Sequence, residues 1–220
     1  MRHVVFTLVT LAALAGPAFA QAPPASTPPA KTSSVGLRGY AVIDADAMAA
    51  TESFKAVFGS SQMTAFGGGA EVDIWKHLFL RIAASRAERT GTRVFIDNGT
   101  VFDLGIPMTV TLLPVEAGAG WRFAPRSRFT PYVGGAFVSL DYQQVSDQAE
   151  AGENVNERYT GSAVFGGVDV VIWKGLFIGG EAQYRHIPVP ETSASVMQAF
   201  GETNLGGVTA RLLIGFTTKH

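Results

Sequence analysis

The chain predicts an all-β fold: an eight-stranded antiparallel, transmembrane up-and-down β-barrel with short periplasmic turns and longer extracellular loops. Three observations predict it. First, residues alternate with a period of two. In Leu176-Phe177-Ile178-Gly179-Gly180-Glu181-Ala182-Gln183-Tyr184-Arg185 the even positions are Leu, Ile, Gly, Ala and Tyr, and from Gly179 the odd ones are Gly, Glu, Gln and Arg. Such alternation makes a strand with one apolar and one charged face. A closed barrel can turn the apolar face to lipid and the charged face to its lumen. Second, the chain opens like an exported protein. Third, short and long connections alternate between the strands.

Met1-Arg2-His3 is a short basic start, Val4 to Leu14 is apolar, and Ala18-Phe19-Ala20 is a small-x-small cleavage site before Gln21. This is the pattern of a signal peptide over residues 1–20, too short to span a bilayer. Cleavage removes Arg2 alone among the charged residues, leaving 16 Lys and Arg against 18 Asp and Glu. No basic surplus therefore points to nucleic acid. With no cysteine, neither a disulfide scaffold nor a thiol site is available. Mean hydropathy is +0.20, although no later segment is long and apolar enough for a membrane helix. Residues 21–33, rich in Pro, Ala, Ser and Thr, read as a periplasmic tether. Residues 34–220 read as the barrel domain.

The strands are expected at approximately 34–44, 64–75, 78–88, 108–123, 129–143, 157–173, 176–187 and 204–216. Most are long enough to cross at a tilt, which needs about 9–11 residues. Short turns fall at Lys76-His77, Ala124 to Arg128 and Lys174-Gly175; the other connections are long. An even strand count puts both ends on the periplasmic side. An internal echo marks two turns: Asp73-Ile74-Trp75-Lys76-His77-Leu78-Phe79-Leu80 resembles Val171-Ile172-Trp173-Lys174-Gly175-Leu176-Phe177-Ile178. Trp75, Trp121 and Trp173 share one depth at the short turns, where an aromatic belt would sit. Strict alternation puts Trp121 on the lipid face and the other two on the lumen face. Those two either swing outward where the turn breaks register or fill the barrel mouth.

Reading the alternation through each strand places Arg38, Glu71, Asp73, Arg81, Glu116, Arg122, Asp169, Glu181, Arg185 and Arg211 in the lumen, five arginines against five carboxylates. The lipid face carries no charge and includes Tyr132, Val138 and Leu140, while Gly135 is read as inward-facing. An eight-stranded barrel is only wide enough to be filled by side chains. Charges there must be paired, so a cross-linked polar plug is expected rather than a proton or ion pathway.

In the first long loop, Phe54, Val57 and Phe58 have helical spacing, with Thr51 as a cap and Gly59 as a stop, so a short helix should rest on the rim. In the second, Asn98-Gly99 is a hairpin signal between two β-like runs. Asn98-Gly99-Thr100 also fits the glycosylation pattern, to which no weight is attached. His186, with Ser162 and Ser139 on nearby strands, is the one Ser–His arrangement available. It lacks an evident third group, so no catalytic residue is assigned. Neither metal-ligand spacing nor a phosphate-cradling glycine loop is present, so no cofactor is expected.

Thr130-Pro131-Tyr132-Val133-Gly134-Gly135-Ala136 and Gly206-Gly207-Val208-Thr209-Ala210-Arg211-Leu212, with the signal peptide and eight alternating strands, resemble small outer-membrane barrels of the OmpA/OmpX type. Leu104-Gly105-Ile106-Pro107, Leu113-Pro114-Val115-Glu116 and Gly120-Trp121-Arg122-Phe123 resemble porin-like outer-membrane β-barrels of soil bacteria. The resemblance spans residues 34–216. It implies a Gram-negative outer-membrane location and a monomeric, non-enzymatic barrel serving envelope integrity or adhesion. A narrow channel is the alternative, and a lipid-modifying enzyme a more distant one. The implied partners are outer-membrane lipids, the barrel-assembly machinery and an extracellular ligand at the loops. Such barrels usually end on an aromatic residue. Here Phe216 precedes Thr217-Thr218-Lys219-His220, so the sorting signal is Phe216 read internally or a weaker variant.

Overall fold

The computed structural model describes residues 35–97, 100–125, 127–146, 154–190, 193 and 195–218. The expected signal peptide, the tether, the Asn98-Gly99 turn with its glycosylation pattern, and His220 lie outside them. Eight strands form one closed antiparallel barrel in sequence order. They are β1 (Gly36–Met48), β2 (Gln62–Asp73), β3 (Leu78–Asp97), β4 (Thr100–Arg122), β5 (Phe129–Ser146), β6 (Val155–Trp173), β7 (Leu176–His186) and β8 (Gly207–Thr217). Closure is made by β1 and β8, paired from Arg38↔Thr217 to Met48↔Gly207. Every strand thus has two neighbours and no edge is left open. Among the described residues no helix is long and apolar enough to cross a membrane.

The outer wall is apolar. Leu80, Ile82, Phe137, Val164, Leu212 and Ile214 are exposed on it. At the long-loop end this face turns polar, with Arg86 bonded to Glu88 and Arg158 bonded to Asp141. On β5 the sequence reading was inverted. Tyr132, Val138 and Leu140 are buried inside, and Val133, Gly135 and Phe137 face out. Both faces of this strand are apolar, so alternation alone did not distinguish them.

The reason is that the lumen has two halves. Toward the long loops it is packed with Met63, Met108, Val110, Leu112, Val138 and Leu140, like a soluble core. Toward the short turns it is charged. The apolar half is roofed by α1 (Thr51–Phe58), whose Phe54 and Val57 are buried, and by the last loop, which inserts Ile187, Met197 and Leu205 beside α2 (Val196–Ala199). The helix falls where its spacing predicts and ends on Gly59 at φ 72°. Its N-terminal partner differs from expectation. Thr51 donates to the Met48 and Ala49 carbonyls. The carboxylate of Glu202, from the last loop, instead accepts from the N–H groups of Glu52 and Ser53 at 2.8 and 3.0 Å. At the other end the Arg89 guanidinium donates to the Phe58 carbonyl at 2.9 Å. A carboxylate at the N-terminus and a cation at the C-terminus both suit the helix dipole.

β3 and β4 continue past the other strands as a raised ribbon, pairing out to Asp97↔Thr100. A register shift between Thr92 and Val94 and Gly105 at φ 67° mark its base. Val94 leans on the apolar core, while Phe95, Val101, Phe102 and Leu104 are exposed.

Inside the charged half, five aromatic side chains each sit directly across from a glycine: Tyr40↔Gly69, Phe79↔Gly120, Tyr132↔Gly167, Phe165↔Gly134 and Phe177↔Gly215. A Cβ on Gly120 would lie 2.3 Å from the Phe79 ring, and one on Gly134 would lie 2.4 Å from Phe165. The glycines let the rings lie against the wall. Gly120→Ala should therefore cost about 1–3 kcal/mol of overpacking. Gly39→Ala, where an added Cβ meets nothing within 4 Å, should stay within about 0.5 kcal/mol. Urea unfolding in lipid vesicles, followed by tryptophan fluorescence, measures both. Glu202→Ala should loosen α1 by about 0.5–2 kcal/mol, the usual range for a lost cap. Faster amide exchange confined to residues 51–58 would register it.

Candidate functional site: the charged lumen

All ten expected lumen charges line the interior. Nine are buried, and Asp73, at the mouth, is partly exposed. The structure adds two carboxylates that the sequence reading omitted, Asp44 and Asp46 on β1, exposed by only 0% and 8%. The inferred balance of five and five is therefore replaced by five arginines facing seven carboxylates. Period-two reading of β1 from Arg38 through Tyr40 and Val42 would have reached both. Ending the strand at residue 44 hid Asp46, and Asp44, at that expected end, was left unassigned.

These groups form three tiers along the axis. Nearest the short turns, Arg122 bonds to both Glu71 and Asp73, and Arg38 reaches Asp169 at 2.5 Å and Glu71 at 3.7 Å. In the middle, Arg81 grips Glu181 at 2.7 and 3.1 Å and lies 3.5 Å from Glu116. Arg211 grips Asp44 at 2.7 and 2.9 Å and reaches Glu116 and Glu181, each at 3.4 Å. Gln183 donates to Glu116 at 3.0 Å and Tyr132 to Glu181 at 3.0 Å. Uppermost, Arg185 bonds to Asp46 and Thr209, and Thr209 donates to Asp46 at 2.5 Å.

The rings described above carry the arginines. The guanidinium carbon of Arg81 lies 4.0 Å from the Phe165 ring centre, that of Arg122 4.0 Å from Phe79, and that of Arg38 4.3 Å from Phe177. Such stacking supports a cation where water is excluded. Sequence reasoning missed these rings because the pairing that sets each over a glycine requires the strand register.

The remaining candidates are placed apart. Trp121 is exposed on the outer wall. Trp75 and Trp173 are 72% and 65% exposed, so neither indole fills the barrel mouth. β2 has ended before Trp75, and a register irregularity separates Val171 from Trp173. Both breaks release the residue from strict alternation. His77 places Nδ1 2.7 Å from the Arg122 carbonyl and stacks on Trp121 at 5.0 Å. His186 and Ser162 are cross-strand partners on the outer face, and Ser139 pairs with Thr160.

A family model for the outer membrane protein β-barrel domain matches residues 6–211. The chain belongs to that family. Among solved structures it is similar to OprG from Pseudomonas aeruginosa, with 11% identity over 84% of this chain and 96% of that one and a TM-score of 0.56. It is also similar to Neisserial surface protein A, with 14% identity over 84% and 97% of the two chains and a TM-score of 0.50. At these identities the likeness concerns the fold. Among curated protein sequences none matches.

For this member of the outer-membrane barrel family, the lumen gives a direct test. Arg81→Met leaves Glu181 and Glu116 short of a cation in a buried site. The expected loss is about 3–5 kcal/mol, typical when one partner of a buried pair is removed. Urea midpoints of the folded barrel in vesicles report it. Arg81→Lys should recover only part of the loss, because an ammonium cannot reproduce the two-pronged grip.

Proposed function

We propose that this outer-membrane barrel is non-enzymatic and occluded, and that it acts as a structural and binding element of the Gram-negative envelope. The mature N-terminus would lie on the periplasmic side and the long loops would face outward, following the signal peptide and the even strand count. The observation that carries this reading is the three-tier ion-pair network, in which Arg38, Arg81 and Arg211 each bridge carboxylates from different strands, Arg122 ties β4 to two carboxylates of β2, and Arg185 locks Asp46 to a hydroxyl. The apolar plug above it supports the same reading. A solute would have to break both a desolvated polar lattice and a packed hydrophobic core.

Function then falls to the outer surfaces. The raised β3–β4 ribbon, with Phe95, Phe102 and Leu104 exposed, is the best-suited binding element, since exposed apolar clusters of this kind mark interaction sites. Chemistry at His186 is disfavoured by the lack, among the described residues, of a hydrogen bond joining it to Ser162 or to an orienting carboxylate.

Single-channel recording in planar bilayers tests the proposal. The expected result for the mature protein is no steady conductance between neutral and mildly acidic pH. A stable conductance that rises on acidification would instead mean that protonated carboxylates release the arginines, and the chain would be a narrow channel.

A further inference from the structure

We propose that the short-turn rim of the barrel is a binding ring for anionic phospholipid headgroups, with Lys76, Arg128 and Lys174 as its phosphate-binding cations. The inference rests on the reading of the barrel as membrane-inserted.

The three short connections repeat one chemistry. Each joins a cation to an exposed aromatic: Trp75 with Lys76, Trp173 with Lys174, and Trp121, Phe123 and Phe129 flanking the turn that holds Arg128. The fourth junction, where the chain ends meet, exposes Phe216 at the same level, opposite Leu176. The aromatics therefore circle the barrel at one depth, as side chains at a lipid–water boundary do. The cations lie just beyond them, where a headgroup phosphate would be. Lys76, Arg128 and Lys174 are all exposed, and Lys174 also stands 5.5 Å from the Trp173 ring centre.

What makes the ring selective is the absence of competing charge. Among the described residues, no carboxylate lies within ion-pair distance of Lys76, Arg128 or Lys174. The acidic groups closest to this end, Asp73, Glu71 and Asp169, point into the lumen and are held by Arg122 and Arg38. The opposite rim differs, because there Arg86 and Arg158 are bonded to Glu88 and Asp141 on the same outer face. Uncompensated cations beside an aromatic belt attract anionic lipid, by about 1 kcal/mol per residue at low ionic strength, which corresponds to roughly a fivefold preference each.

The chain supplies its own probe, since all three of its tryptophans sit at this rim. The mature protein would be folded into vesicles of phosphatidylcholine mixed with phosphatidylglycerol, with bromine on the acyl chains of one lipid or the other. Brominated phosphatidylglycerol should quench the fluorescence several-fold more effectively, mole for mole, than brominated phosphatidylcholine. The preference should collapse toward unity in 0.5 M salt and in a Lys76→Gln/Arg128→Gln/Lys174→Asn variant. The salt arm needs no mutation, so it stands even if that variant folds poorly. Equal quenching by both lipids at low salt would overturn the headgroup ring while leaving membrane insertion intact. No quenching by either lipid would overturn both.

Discussion

The fold depends on how a narrow barrel holds arginine in its centre. Eight strands enclose only enough space for side chains. Isolated charges there would be expelled by their desolvation cost. The answer is a repeated layering. A glycine removes the Cβ from one strand, an aromatic ring from the neighbouring strand lies in the space, a guanidinium stacks on the ring, and carboxylates bind its edge. Gly134, Phe165, Arg81 and Glu181 form one such stack, and Gly120, Phe79, Arg122 and Glu71 form another. The ring fixes the height and tilt of the guanidinium, so its planar fork meets carboxylates from other strands with little freedom left to lose.

This layering also explains the division of the lumen. It occupies the half near the short turns, where the wall carries the glycines. Above Asp46 and Arg185 the inward residues become Met, Val, Leu and Ile, and the barrel closes as a soluble protein would, by burying α1 and the last loop. The roof is tied down by long-range polar contacts rather than by local ones. Glu202 reaches the N-terminus of α1, and Ser193 joins Glu157 and Tyr159 of β6, each at 2.7 Å. Loops far apart in sequence thus share one lid.

Most of the architecture was legible because a membrane barrel writes its fold as a period of two. α1 follows from the helical spacing of Phe54, Val57 and Phe58, while all eight strands, the short turns and ten of the twelve lumen charges follow from that rule. It failed where its premise failed. On β5 the inner face is as apolar as the outer, since Val138 and Leu140 belong to the roofed half, so polarity could not set the register. The rule was also silent on pairings. Neither the cap that Glu202 gives to α1 nor the seat that Gly134 gives to Phe165 can be read without knowing which residues face one another.

The excess of carboxylates over arginines clarifies how the lattice is completed. With seven acids for five cations, one-to-one pairing would leave buried oxygens without donors. Two devices offset this. Arginines are shared, as Arg211 is among Asp44, Glu116 and Glu181. Neutral groups then fill further positions, Tyr132 donating to Glu181, Gln183 to Glu116 and Thr209 to Asp46, while Asp169 Oδ1 stays buried without a donor among the described residues. Each neutral donor comes from a different strand from the acid it serves: β5 reaches β7, β7 reaches β4 and β8 reaches β1. The network therefore cross-links the wall through neutral as well as charged contacts. Its rigidity comes from this sharing, since moving any one arginine disturbs acids anchored on other strands.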